Sequence, residues 1–82
     1  MNNERISEMP IKFRTHLAEL REKKGISRMD IVREAKLSYQ TVHTWENDLL
    51  DNISALKVAR VMRVLNCSMN ELIEIVGEDD EN

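Results

Sequence analysis

Gln40, His43, Thr44 and Asn47 recur at i, i+3, i+4 and i+7, the spacing that aligns side chains on one face of a helix. All are uncharged hydrogen-bonding groups, whereas a merely solvated helix face tends to fill with Lys, Glu and Arg. Groups of this kind can pair with base edges in the major groove of duplex DNA, which is about as wide as a helix. Gln40 is the best reader, because its amide donates and accepts at once and so matches the N6/N7 edge of adenine. A contact of that type discriminates by about 1–3 kcal/mol. Thr44 can hydrogen-bond a base or touch a thymine methyl, and Tyr39 and His43 flank the pair, which makes Tyr39, Gln40, His43 and Thr44 the base-contacting candidates. Phosphates are met by cations or by free amides at helix starts. Arg28 fits both descriptions and Lys36 the first. Ser38 and Asn47, at the ends of the striped segment, complete the phosphate set, with Lys12 and Arg14 as contributors.

Other chemistries find little support. A single cysteine, Cys67, forms no internal disulfide, and two histidines with one cysteine fall short of a four-ligand zinc site. No nucleophile and base share a defensible spacing, so no catalytic residue, metal or cofactor is expected. Two glycines and one proline leave no glycine-rich phosphate loop and too few turns for a sandwich or barrel. Eighty-two residues make one small domain, and a domain of this size buries only about 60–65% of its unfolded surface, too little for a deep cleft beside a sound core. No apolar run approaches the ~18 residues of a membrane span, and residues 1–10 hold no hydrophobic signal core. The reading is therefore a cytoplasmic protein, nucleoid-associated when on DNA. The net charge of −3 conceals segregation: −1 over residues 1–10, +3 over 11–47 and −5 over 48–82.

The elements that must position these residues read as helices throughout. Phe13, Leu17, Leu20 and the stem of Lys24 share a face, and Gly25 stops that helix at about residues 11–24. Ser27 and Asp30 form a capping box before Ile31, Val32 and Ala35, predicting a helix over 28–35. Ser38 caps a third over 39–46, with Val42 and Trp45 inward. The link of three or four residues makes the second and third helices a helix-turn-helix. Ser54 caps a fourth, in which Ala55, Val58, Ala59, Met62 and Leu65 repeat. Ser68 and Glu71 open a short fifth that carries Leu72, Ile73, Ile75 and Val76. Residues 1–10 read as a polar arm, 11–76 as the folded domain and 77–82 as an acidic disordered tail.

Three blocks, Arg21-Glu22-Lys23-Lys24-Gly25-Ile26-Ser27, Ser38-x-x-Thr41-Val42-x-x-Trp45-Glu46-Asn47 and Leu65-Asn66-Cys67-Ser68-x-x-Glu71-Leu72, together with their spacing, resemble the phage-repressor and Cro-like helix-turn-helix family of the xenobiotic-response-element type. The resemblance covers about residues 11–75. It implies an all-α, compact five-helix bundle, a lambda-repressor-like domain that binds operator DNA as a dimer, with the third helix in the major groove. It also implies a partly buried ion pair between Arg21 and Glu46. The chain departs from the family pattern at Arg28, where Gln is common, at Lys36, where the turn usually has glycine, and at Val32, where Ala is usual. The often basic loop before the fourth helix here contains Asp48 and Asp51.

Leu72, Ile73, Ile75 and Val76 exceed what one short helix needs for its own core and read as a homodimer interface, with Leu49 or Leu50 at its edge. The resulting expectation is a sequence-specific, double-stranded DNA-binding regulator, a repressor on a pseudo-palindromic operator. The competing reading is a helix-turn-helix module for protein binding, such as an antitoxin or anti-repressor docking a toxin or other partner through its acidic C-terminal half.

Overall fold

The structure, a computed structural model, describes residues 10–77. In chain order these form β1 (Ile11–Thr15), α1 (Leu17–Lys23), α2 (Arg28–Glu34), α3 (Tyr39–Asn47), α4 (Ala55–Leu65), α5 (Met69–Leu72) and β2 (Ile73–Gly77). The polar arm over residues 1–9 and the tail over 78–82 lie outside the described residues.

Each serine read as a cap occupies that role. Ser27 Oγ accepts from the Asp30 amide at 3.1 Å while Asp30 returns the bond to the Ser27 amide at 3.2 Å, and Ser68 and Glu71 make the same reciprocal pair. Ser38 Oγ accepts from the Thr41 amide and Ser54 Oγ from the Lys57 amide. The C-terminal ends of α1, α2 and α4 share another device, a residue with positive φ after the last turn. These are Gly25 (68°), Lys36 (57°) and Asn66 (53°). In each case the next amide reaches back five residues, Ile26 to Arg21, Leu37 to Val32 and Cys67 to Met62, closing the carbonyls a helix end leaves open. Lys36 thus takes the left-handed turn usually assigned to glycine.

The all-helical expectation fails at both ends of the domain. Residues 11–15 and 73–77 are antiparallel strands in the register Ile11↔Gly77, Phe13↔Ile75 and Thr15↔Ile73. Phe13 and Leu50 also exchange backbone hydrogen bonds of 2.8 and 2.9 Å, so β1 lies between β2 and the loop before α4. The physical reason is that Ile11, Phe13 and Thr15 satisfy a period of two as well as Phe13, Leu17 and Leu20 satisfy a helical one, and β-branched Ile73, Ile75 and Val76 favour a pleated strand once a partner lies alongside. His16 fastens the junction: its ring nitrogens lie 3.0 Å from Glu19 and 3.1 Å from Glu74, with Arg14 3.4 Å from the same Glu74 carboxylate.

The core is built from Leu17 of α1, Ile31 of α2 with Ala35 at its C-cap, Leu37, Val42 and Trp45 in and before α3, Leu50 of the loop that follows, Val58, Val61 and Leu65 of α4, and Leu72. In α4 the buried stripe is Val58, Val61 and Leu65. Ala55 and Ala59, which fit the period equally well, are exposed. Larger side chains win the inward face because burial gain scales with apolar area.

The C-terminal apolar run divides between the chain's own core and its surface. Leu72 is fully buried in the chain's own core and Val76 is 4% exposed, while Ile73 is half-buried. Strand alternation sends Ile75 the other way, leaving it 69% exposed, with Ile11 of the neighbouring strand at 58%. Leu50 is buried as well, and Leu49 is half-buried. Of the expected interface residues, only Ile75 presents a large apolar surface.

Candidate nucleic-acid interface

Helix α3 is two-sided. Val42 and Trp45 are buried, whereas Tyr39, Gln40, His43 and Asn47 are exposed and Thr44 is half-buried between them. The side chains on the exposed row already touch one another. Gln40 Nε2 donates to Thr44 Oγ1 at 3.4 Å, and Asn47 Nδ2 donates to the His43 carbonyl at 2.8 Å with His43 Nδ1 3.4 Å away. The Gln40–Thr44 contact leaves the Gln40 carbonyl and a second amide hydrogen to meet a base.

Beside this row runs a groove of about 240 Å³ between α3 and the start of α4. Gln40, Thr41 and Thr44 form one wall, Asn52, Ser54 and Lys57 the other, and Trp45 contributes to the lining. Asn52 and Lys57 were missed by the sequence reading. Lys57 did carry a signal, since a cation in the first turn of a serine-capped helix is suited to an anion. Nothing local in the sequence puts it against Gln40.

The remaining polar candidates are placed as follows. Ser38 is engaged as the N-cap of α3, accepting from the Thr41 amide at 3.0 Å and donating to Thr41 Oγ1 at 2.9 Å. Lys36 is exposed in the turn between α2 and α3. Lys12 is paired with Asp51, so a base from β1 meets one of the two acidic side chains of the loop before α4.

At the other end of α3 one carboxylate serves two arginines. Glu46 Oε2 accepts from Arg21 Nε at 2.8 Å and Glu46 Oε1 from Arg28 Nε at 2.8 Å. Arg21 is also held by the Ile26 carbonyl at 3.2 Å and stands 3.6 Å from Glu22. The Glu46 and Arg21 side chains are 3% and 9% exposed, against 48% for Arg28. The hydrogen bond to Glu46, reinforced by its charge, raises the pKa of Arg28 above its ordinary value.

A short α2 and a longer α3 joined by a tight turn, with one polar helix face turned outward, define a helix-turn-helix DNA-binding domain. The chain belongs to the Cro/C1-type HTH DNA-binding domain family, whose model matches residues 16–78. Comparisons with curated proteins and with solved structures gave no match. Among the described residues no helix is long and apolar enough to cross a membrane, and no group of three or more His, Cys, Asp or Glu could hold a metal ion.

Proposed function

We propose that this DNA-binding domain is a sequence-specific transcriptional regulator acting as a repressor, a cytoplasmic homodimer that occludes a promoter by occupying a pseudo-palindromic operator. The observation that carries the reading is the outward row on α3. Gln40 and Thr44 stand exposed or half-exposed over a groove that also contains Lys57, while Trp45 holds the opposite side of the helix in the core. In this reading Tyr39, Gln40, His43 and Thr44 meet base edges. Arg28, Lys36, Asn52 and Lys57 meet phosphates, with Ser38 and Asn47 at the ends of α3 nearby. The pairing of Asp51 with Lys12 favours DNA over a basic protein partner, since it neutralises part of the acidic loop. The exposed Ile75 and Ile11 are the apolar surface assigned to the two-fold contact, and a dimer on such an operator needs its recognition helices about one turn of DNA, ~34 Å, apart.

Selection of bound duplexes from a random pool, followed by sequencing, tests the reading. Enrichment of a symmetric pair of half-sites supports it. A single unrepeated half-site removes the dimer, and no enrichment removes sequence-specific binding.

A further inference from the structure

We propose that Glu46 is a positioning residue for DNA binding: it fixes the guanidinium of Arg28 through Nε so that the two terminal nitrogens are presented as a preset fork for a phosphate. The proposal rests on the reading of Arg28 as a phosphate contact and adds to it the residue that aims it.

Glu46 lies near the end of α3 and Arg28 at the start of α2, so the 2.8 Å bond between them spans the helix-turn-helix from one element to the other. The carboxylate itself cannot wander. Its side chain is 3% exposed, and its other oxygen is tied to Arg21, which is held in turn by the Ile26 carbonyl. Arg28 therefore pairs with a group whose position is already set by the core. Nε is the only nitrogen of Arg28 with a hydrogen-bond partner among the described residues, and the side chain is about half exposed. A guanidinium bound through one edge keeps its remaining N–H groups in a fixed plane, the geometry that suits a phosphate bidentately.

The charges at this corner balance, Arg21 and Arg28 against Glu22 and Glu46, with Arg21 buried and the half-exposed Arg28 the cation nearest solvent. A free arginine at the start of α2 would lose side-chain entropy on meeting DNA. Arg28 has already lost part of that freedom.

The test is a double-mutant cycle with the full chain on a duplex of random sequence, read as the salt dependence of binding, with folding of each variant checked by circular dichroism. A single lost phosphate contact flattens the slope of log K against log salt by about 0.9, or about eightfold in affinity at 0.1 M relative to 1 M salt. Arg28→Ala and Glu46→Gln are each expected to lose about that much, and the double variant no more than Arg28→Ala alone. Losses that multiply would mean Glu46 acts through Arg21 and the fold, and a gain of affinity in Glu46→Gln would mean it withholds Arg28 from DNA. Either result overturns the proposal. A second readout needs no variant: the Arg28 Nε–H resonance should survive duplex addition while its terminal N–H resonances shift. Loss of the Nε–H signal on binding overturns the proposal, and failure of the wild-type chain to bind any duplex removes the DNA reading along with it.

Discussion

Thr15 Oγ1 donates a buried 2.6 Å hydrogen bond to the backbone carbonyl of Trp45. That carbonyl lies in the last turn of α3, where helix acceptors lack intrahelical partners. Strand β1 thereby supplies the cap that holds the end of α3. Removing the hydroxyl while keeping the shape leaves a buried acceptor unsatisfied, at a cost of about 1–3 kcal/mol. Thr15→Val is expected to lower stability by that amount in urea unfolding, or by about 4–8 °C of Tm per kcal/mol for a domain this size. An unchanged midpoint would show that the bond carries no net stability.

What the sequence revealed and what it hid divide along the range of the interactions. Ser27 with Asp30, Ser38, Ser54, and Ser68 with Glu71 were legible as caps because a side chain and an amide three residues away decide the matter locally. Outward Gln40 and inward Trp45 followed from helical period alone. The strands were not legible, because Phe13 fits two periods and its partners are Ile75 and Leu50, far along the chain. The same limit hid the second arm of Glu46 and the approach of Lys57 to Gln40, both of which depend on how helices cross.

The capping boxes make stability depend on acid. The Ser27 backbone amide and then its hydroxyl hold the Asp30 carboxyl below its ordinary 3.8, with Arg33 assisting, and Ser68 holds Glu71 below its ordinary 4.5 in the same manner. With depressed folded values, the unfolded chain takes up protons first as pH drops. The contribution is therefore complete above the unfolded values and is lost as pH falls through the folded ones. Urea midpoints should decline between about pH 6 and about pH 3, and Asp30→Asn with Glu71→Gln should flatten that decline. An equally steep decline in the double variant would place the acid sensitivity elsewhere.

Base and phosphate roles separate by measurement. Gln40→Ala is expected to relax preference at one base position, at about 1–3 kcal/mol, while leaving the salt slope intact. Lys57→Ala, on the opposite wall of the groove, should weaken all duplexes alike and reduce the slope by about one. If both variants weaken every sequence equally, Gln40 does not read a base.

Ile75 tests the dimer. It is exposed on the sheet, so Ile75→Glu should leave monomer stability within about 0.5–1 kcal/mol. The variant should sediment as a monomer at concentrations where the wild type is dimeric, and bind a symmetric duplex no better than a half-site. A variant that remains dimeric would put the two-fold axis on another surface.

Lys36 sets stability against binding at a single position. Its φ of 57° belongs to the left-handed region, which costs a residue with a Cβ about 1–2 kcal/mol. Glycine removes that cost but adds about 0.4–1 kcal/mol of unfolded-chain entropy to be overcome. Since the first effect is the larger, Lys36→Gly is expected to stabilise the domain by up to about 1 kcal/mol. It also deletes an exposed cation at the turn between α2 and α3, so the salt slope for duplex binding should fall by about one if the ammonium meets a phosphate. Lys36→Asn separates the effects, because Asn tolerates the left-handed turn without glycine's entropy and without the charge. A slope unchanged in both variants would show that the ammonium meets no phosphate, and a Lys36→Gly domain no more stable than the wild type would show that the left-handed turn carries no net cost.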